Sequence, residues 1–557
     1  LALSSARRRP ADSKRVARRR SDLLAVMAPR CLAVGLLLIG VAYRADALTI
    51  WRQQTERFSD SADYIAVEFL TDALAVVCYR DLEVIEPTAN TPTHPLQPPP
   101  LACPRAALIL AFLSQADYRG TCTIASLPAD PSGKLRYGPR LQLPGPASYI
   151  ALSRMDEHTA LLCYMDQTGV PRRRAMCMTL LATATEGGGP CDDNADVDAC
   201  SLVAGDALTV SDGMVGGFLT LSRYGAINDD VALLCYAHLG DFETEEIPAN
   251  VTRTAVCQLV RANVGHPCVC AAGERPKVVE AGPSLELVAG TAGYISTQVL
   301  PDITGAALVC YRRYSAEPPQ TAGCETVRAR CPGCGAGASL ALVPTSATDV
   351  VAASAGALAA APVSANSALV ASCGDYDIVT LATNGEITSR AQQDLPVEQC
   401  DAEAYVAGSG GYLAAHVSAL TLATDEKGEK GAMVLCQHSG DAFLDCAVLD
   451  TAVSVPPPPP PKTPASPPPP PASPTPPPAA PQALDKPLDQ PRLRMDDHTR
   501  GFVALSGQPG AVPGTTQEKG AKLLTCYGTQ PDDGSPRHAQ CALLSIHYAA
   551  LPPMPPP

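Results

Sequence analysis

Aromatic residues make up only 4% of this 557-residue chain, and Trp51 is its sole tryptophan. A core built on large rings is excluded, so the 46% hydrophobic share comes mainly from Ala, Val and Leu, which suit strands packed in layers. No apolar run reaches the roughly 20 residues that a spanning helix needs. The uncharged stretch from Val350 to Cys373 is interrupted by Pro362 and Asn366 and is rich in Ala and Ser, so no transmembrane span is expected. Also missing are G-x-S-x-G, H-E-x-x-H, a Walker loop and a dinucleotide fingerprint, and the nine histidines form no pair at ligand spacing. These absences leave no catalytic residue to name. Carboxylates assembled from separate units would escape such a search.

Charge is lopsided. The chain carries 42 Lys and Arg against 56 Asp and Glu, a net charge of −14. It begins at Leu1 rather than Met, and residues 1–26 read as an upstream leader. From Met27, a basic residue at Arg30, the apolar run Cys31 to Tyr43 and the "ADA" ending at Ala47 match a secretory signal, residues 27–47. Removing this basic leader leaves a mature chain of about −21, which repels phosphate backbones and excludes nucleic acid as a partner. A secreted or cell-surface location follows.

What the chain has in abundance is repetition. "LAVVCY" at Cys78, "ALLCY" at Cys163 and at Cys235, "ALVCY" at Cys310, "ALVASC" at Cys373, "AMVLC" at Cys436 and "KLLTCY" at Cys526 are seven copies of one apolar strand. A second strand precedes each copy, as in "DYIAVEFL", "YIALSRM", "GFLTLSRY" and "GYISTQVL". A fourth follows, usually with its own cysteine, and a shorter segment such as "LTIW", "LQL" or "RLRM" is expected to open each unit. In the fifth unit "DVVAASAG" is the expected second strand and "IVTLAT" the fourth.

Seven units of four antiparallel strands resemble a seven-bladed β-propeller with disulfide-clipped hairpins, in which each small sheet buries its faces against its neighbours. A β-solenoid or tandem β-sandwiches would use similar strands. The WD dipeptide and the kelch double glycine are absent, so no characterised repeat family is matched. Units one to six occupy 48–453, and unit seven, 492–548, is expected to close the ring.

Cysteines in the third and fourth strands are expected to pair as Cys78 with Cys122, Cys163 with Cys177, Cys235 with Cys257, Cys310 with Cys324, Cys436 with Cys446 and Cys526 with Cys541. Cys191 and Cys200 bracket a further small loop. "CPGC" at Cys331 and "CVC" at Cys268 lack partner pairs at zinc spacing. Of 22 cysteines, Cys31 leaves with the leader, so one thiol is left unpaired or shared with a second chain.

Proline numbers 55, concentrated in an insert at 85–104, a linker at 454–491 and a tail at 549–557. The block Val455 to Pro481 has to adopt extended polyproline II and leave the sheets. Its "SPPPPP" from Ser466 to Pro471 resembles the extensin-type blocks of hydroxyproline-rich glycoproteins of plant and algal extracellular matrix. That resemblance implies proline hydroxylation and O-glycosylation, and a plain spacer is the alternative.

Inside the Cys191–Cys200 loop, Asp192, Asn194, Asp196 and Asp198 alternate like the opening ligands of a calcium loop. The glycine and the bidentate acid of such a loop are missing, which leaves a solvated acidic turn as the plainer account. Asn250 heads the one N-glycosylation sequon. Asp72, Asp156, Asp229 and Asp302 recur in the turns between second and third strands because Asp favours turns. The functional expectation is a binding or matrix module for extracellular protein or glycan partners. A secreted hydrolase with carboxylates in the central funnel, or a structural wall glycoprotein, are the alternatives. The shortage of Trp and Tyr counts against sugar stacking.

Overall fold

The computed structural model describes residues 48–81, 119–128, 133–168, 173–185, 189–191, 197–224, 230–240, 253–262, 278–287, 292–300, 303, 305–313, 322–330, 340–350, 358–364, 366–371, 375–394, 417–421, 432–438, 444–450, 492–496, 499–508, 521–529 and 538–548. Regular structure among them is strand throughout, apart from one 3-10 turn at Val197–Ala199. The strands form antiparallel sheets, four of them four-stranded, one five-stranded and one nine-stranded, in an all-β, broadly propeller-like architecture. The leader, the Pro-rich insert, the linker and the tail lie outside the described residues.

The repeated apolar runs are strands because their side chains alternate between two buried faces. In Leu74–Asp81, Val76 and Cys78 pack toward the second unit, and Val77 and Tyr79 pack toward the seventh. The same alternation explains the recurring Cys-Tyr pair. Cys163 lies in the layer shared with the third unit and Tyr164 in the layer shared with the first. Cys235 faces the fourth unit while Tyr236 faces the second. Each such layer therefore sets a cystine of one unit among apolar side chains and a tyrosine of the next. Burial pushes the phenols of Tyr164 and Tyr236 well above their usual range.

Six cystines join directly opposed residues in neighbouring strands: Cys78–Cys122, Cys163–Cys177, Cys235–Cys257, Cys310–Cys324, Cys436–Cys446 and Cys526–Cys541. Their Cα atoms are 4.0–4.2 Å apart, close to the spacing of non-hydrogen-bonded antiparallel pairs (about 4.5 Å). A seventh, Cys191–Cys200, closes the short loop after Arg174–Ala184. In the fifth unit, Ala371 of Ser367–Ala371 stands opposite Tyr376 at the strand position where the other units carry a cystine. Cys373 lies outside the described residues.

Strand phase departs from the sequence expectation. The short segment thought to open each unit is hydrogen-bonded to the unit before it: Leu141 opposes Cys122, Leu208 opposes Cys177, Leu285 opposes Cys257, and Leu493 opposes Cys446. In Leu141–Arg154 the chain passes without a turn from the outer edge of the first unit to the inner edge of the second, which fuses the two into the nine-stranded sheet. "LTIW" follows the same rule. Leu48–Ser59 pairs with His538–Tyr548, from Leu48 opposite Tyr548 to Ser59 opposite Ala539, so the first strand completes the last sheet. In the fifth unit the inner strand is Ala359–Ser364, not "DVVAASAG", whose first residues end Leu342–Val350.

Inner strands pack on one another in sequence. Ala62–Phe69 meets Leu141–Arg154, which meets Met214–Arg223, then Ala292–Val299, Ala359–Ser364, Val417–Thr421 and Thr499–Gly507, and this last packs back on Ala62–Phe69.

Candidate functional site

Four inner strands start with the same local irregularity. Their pairing slips between Asp63 and Ala66, Ser148 and Ala151, Gly217 and Thr220, and Gly293 and Ser296. At each slip sits an aromatic residue with positive φ: Tyr64 (49°), Tyr149 (48°), Phe218 (57°) and Tyr294 (48°). Such a conformation is unfavourable for a bulky L-residue, of order 1–3 kcal/mol each, and persists only where the surroundings impose it. The rings of Tyr64, Tyr149 and Phe218 each meet the aromatic of the following unit. Ring centroids lie 4.7 Å apart for Tyr64 and Tyr149, 5.4 Å for Tyr149 and Phe218, and 4.6 Å for Phe218 and Tyr294, tilted by 47–57°.

The result is a shingled crescent of rings. Tyr64 is buried, while Tyr149, Phe218 and Tyr294 are half-buried. Gly217 permits the overlap, since a Cβ there would come within 2.5 Å of the Tyr149 ring. The Arg80 guanidinium lies 4.3 Å from the Tyr64 centroid and pairs with Asp63 at 2.8 Å; that of Arg312 lies 5.5 Å from the Tyr294 centroid. Tyr412 and Phe502 occupy the matching places in the sixth and seventh sequence units, but their side chains are not among those described.

Farther along the inner strands, polar side chains tie one strand to the next. Ser506 Oγ accepts the Phe69 amide at 3.1 Å, Ser296 Oγ accepts the Ala360 amide at 2.9 Å, and Ser222 Oγ lies 2.7 Å from Thr297 Oγ1. Glu68 occupies the same place in its strand as Ser153, Ser222 and Ser506 do in theirs. Its carboxyl accepts the Arg154 backbone amide and the Ser506 hydroxyl at 3.4 Å, which links the inner strands of the second, first and seventh units. Burial raises its pKa from 4.5 to about 7 and outweighs those hydrogen bonds and the attraction of Arg154.

Of the candidate calcium ligands, Asp198 is described, and its carboxylate pairs with Arg136 at 2.7 Å on the surface. Asp192, Asn194 and Asp196 lie outside the described residues, as does Asn250. Among the described residues no three His, Cys, Asp or Glu side chains converge as a metal site would need, and no helix is long and apolar enough to cross a membrane. Asp156 accepts the amides of His158 and Thr159, both at 2.7 Å, the turn-forming use expected of it. Asp229 and Asp302 are not described.

The sequence alone points to neither the crescent nor Glu68. A signal for the crescent existed, since the inner strands share an aromatic at their start. Glu68 left no comparable trace, because one acid in an alternating strand reads as an exposed face.

No family model matches the chain, and neither does any curated protein. Among solved structures, a Trypanosoma rangeli sialidase in complex with sialic acid is similar at 7% identity and a TM-score of 0.35, covering 88% of this chain. The chain spans 55% of that sialidase's length. The parainfluenza virus 5 hemagglutinin-neuraminidase ectodomain is similar at the same identity and TM-score, with 72% of this chain and 81% of that one covered. The likeness is a distant one of all-β architecture, and no activity follows from it.

Proposed function

We propose that the mature chain is a closed seven-bladed β-propeller that acts outside the cell as a binding module, taking protein or glycan partners at the end where the aromatic crescent lies. Closure is supported by the cyclic packing of the inner strands and by the first strand completing the last sheet, which a linear solenoid would leave unpaired. The cystines support an oxidising compartment. One observation carries the binding role: the same repeat position holds a strained aromatic in four consecutive units, and three of these rings remain partly open to solvent. Strain kept at corresponding sites is a feature of ligand-binding surfaces. A glycan array and a pull-down from extracellular matrix extract test the role. Binding that is lost with Phe218→Gly supports it; binding at background, or unaffected by that change, refutes it.

A second reading, a secreted hydrolase, draws on Glu68, whose near-neutral pKa suits a general acid. It requires turnover of a glycoside or ester panel that disappears with Glu68→Gln.

A further inference from the structure

We infer that Met176 is an oxidation site, at which peroxide forms mainly one sulfoxide epimer and loosens the packing between the first and second units. Oxidation turns a thioether from a flexible apolar side chain into a polar, chiral one, and is reversed by reductases that each act on one epimer. The sulfur has first to be reached. Met155, Met165, Met178, Met214 and Met495 are only 0–3% exposed. Met176, near the start of Arg174–Ala184, is half-buried, and it alone among the methionines whose side chains are described stands partly open to solvent.

The sulfur is also held in place. Thr209, opposite Met176 in the neighbouring strand, donates its hydroxyl to Sδ at 3.1 Å. A thioether sulfur carries two lone pairs, and the hydroxyl engages one of them. The other attacks one oxygen of the peroxide. The O–O bond breaks, the second oxygen leaves as water, and the sulfur loses the two electrons that reduce the peroxide. The two lone pairs lead to opposite configurations at sulfur, so the Thr209 contact favours one epimer. Met176 stands opposite Tyr164 and packs against the apolar layer shared by the first and second units. A sulfoxide brings a polar oxygen to the margin of that layer and weakens the packing there.

The test treats the full mature protein with hydrogen peroxide and follows each methionine by peptide mass spectrometry. Met176 should oxidise at least about tenfold faster than Met155, Met165, Met178, Met214 and Met495. When peptides of the oxidised protein are given to epimer-specific reductases, one enzyme should remove most of the Met176 sulfoxide, and Thr209→Val should bring the two epimers near parity. The urea denaturation midpoint should fall on oxidation and recover on reduction. Met176→Leu, which keeps the apolar bulk, should abolish that shift. Oxidation of Met176 no faster than that of the buried methionines overturns the site. Equal epimers in the wild type, or the same excess in Thr209→Val, overturns the part given to Thr209. A midpoint that stays in place, or that moves as far in Met176→Leu, overturns the effect on packing between the units.

Discussion

Replacing Glu68 by Gln isolates one ionisation at the junction of three inner strands. Glutamine keeps an oxygen to accept the Arg154 amide and the Ser506 hydroxyl, and loses only the charge. In the wild type the folded-state pKa of about 7 lies above the ordinary 4.5. The folded protein therefore binds a proton that the unfolded chain releases between these values. Stability from this group is complete below pH 4.5 and is lost as pH rises through 7. A shift of this size corresponds to about 3 kcal/mol; partial solvent access to the half-buried side chain reduces the expected loss to about 1–3 kcal/mol. Urea denaturation at pH 5 and pH 8, with disulfides intact, reads the effect. Wild type should lose stability between the two, Glu68→Gln should lose that much less, and the variant should be the more stable protein at pH 8. Parallel pH profiles for the two proteins would refute the buried-carboxyl argument.

Further outcomes follow from the same geometry. Gly217→Ala forces a Cβ against the Tyr149 ring at a φ of 102° and should lower stability by about 1–3 kcal/mol in the same denaturation assay. Removing the Cys163–Cys177 bridge by a double change to Ala opens a loop of 14-residue separation and should cost about 3 kcal/mol, with the other described bridges still found by non-reducing peptide mapping. Leu162→Ala, in the layer between the first and second units, should cost about 2–5 kcal/mol by leaving a cavity, measured as a shift in denaturation midpoint.

Strands and cystines were legible because alternating apolar residues and recurring Cys-Tyr pairs are local signals. Each reports which face of a strand is buried. Phase was not legible: a short apolar segment such as Leu141–Leu143 can hydrogen-bond to the sheet behind it or open the one ahead, and the period of two is the same in either case. For Leu48–Ser59 the partner is almost the whole chain length away, and no local pattern points to His538–Tyr548. In the fifth unit the inner strand, "AAAPVS", is short, Ala-rich and interrupted by Pro362, whereas the neighbouring "DVVAASAG" is the more β-branched, so composition there points away from the true strand. The crescent depends on bulges, which shift register without changing composition. The raised pKa of Glu68 depends on strands brought together from units one, two and seven.

Hydrogen–deuterium exchange of the mature protein, read by peptide mass spectrometry, tests closure of the ring most directly. The account predicts slow exchange across Leu48–Ser59 matching that of His538–Tyr548, and loss of protection in both together as denaturant is added. Rapid exchange of residues 48–59 while 538–548 stays protected would contradict it.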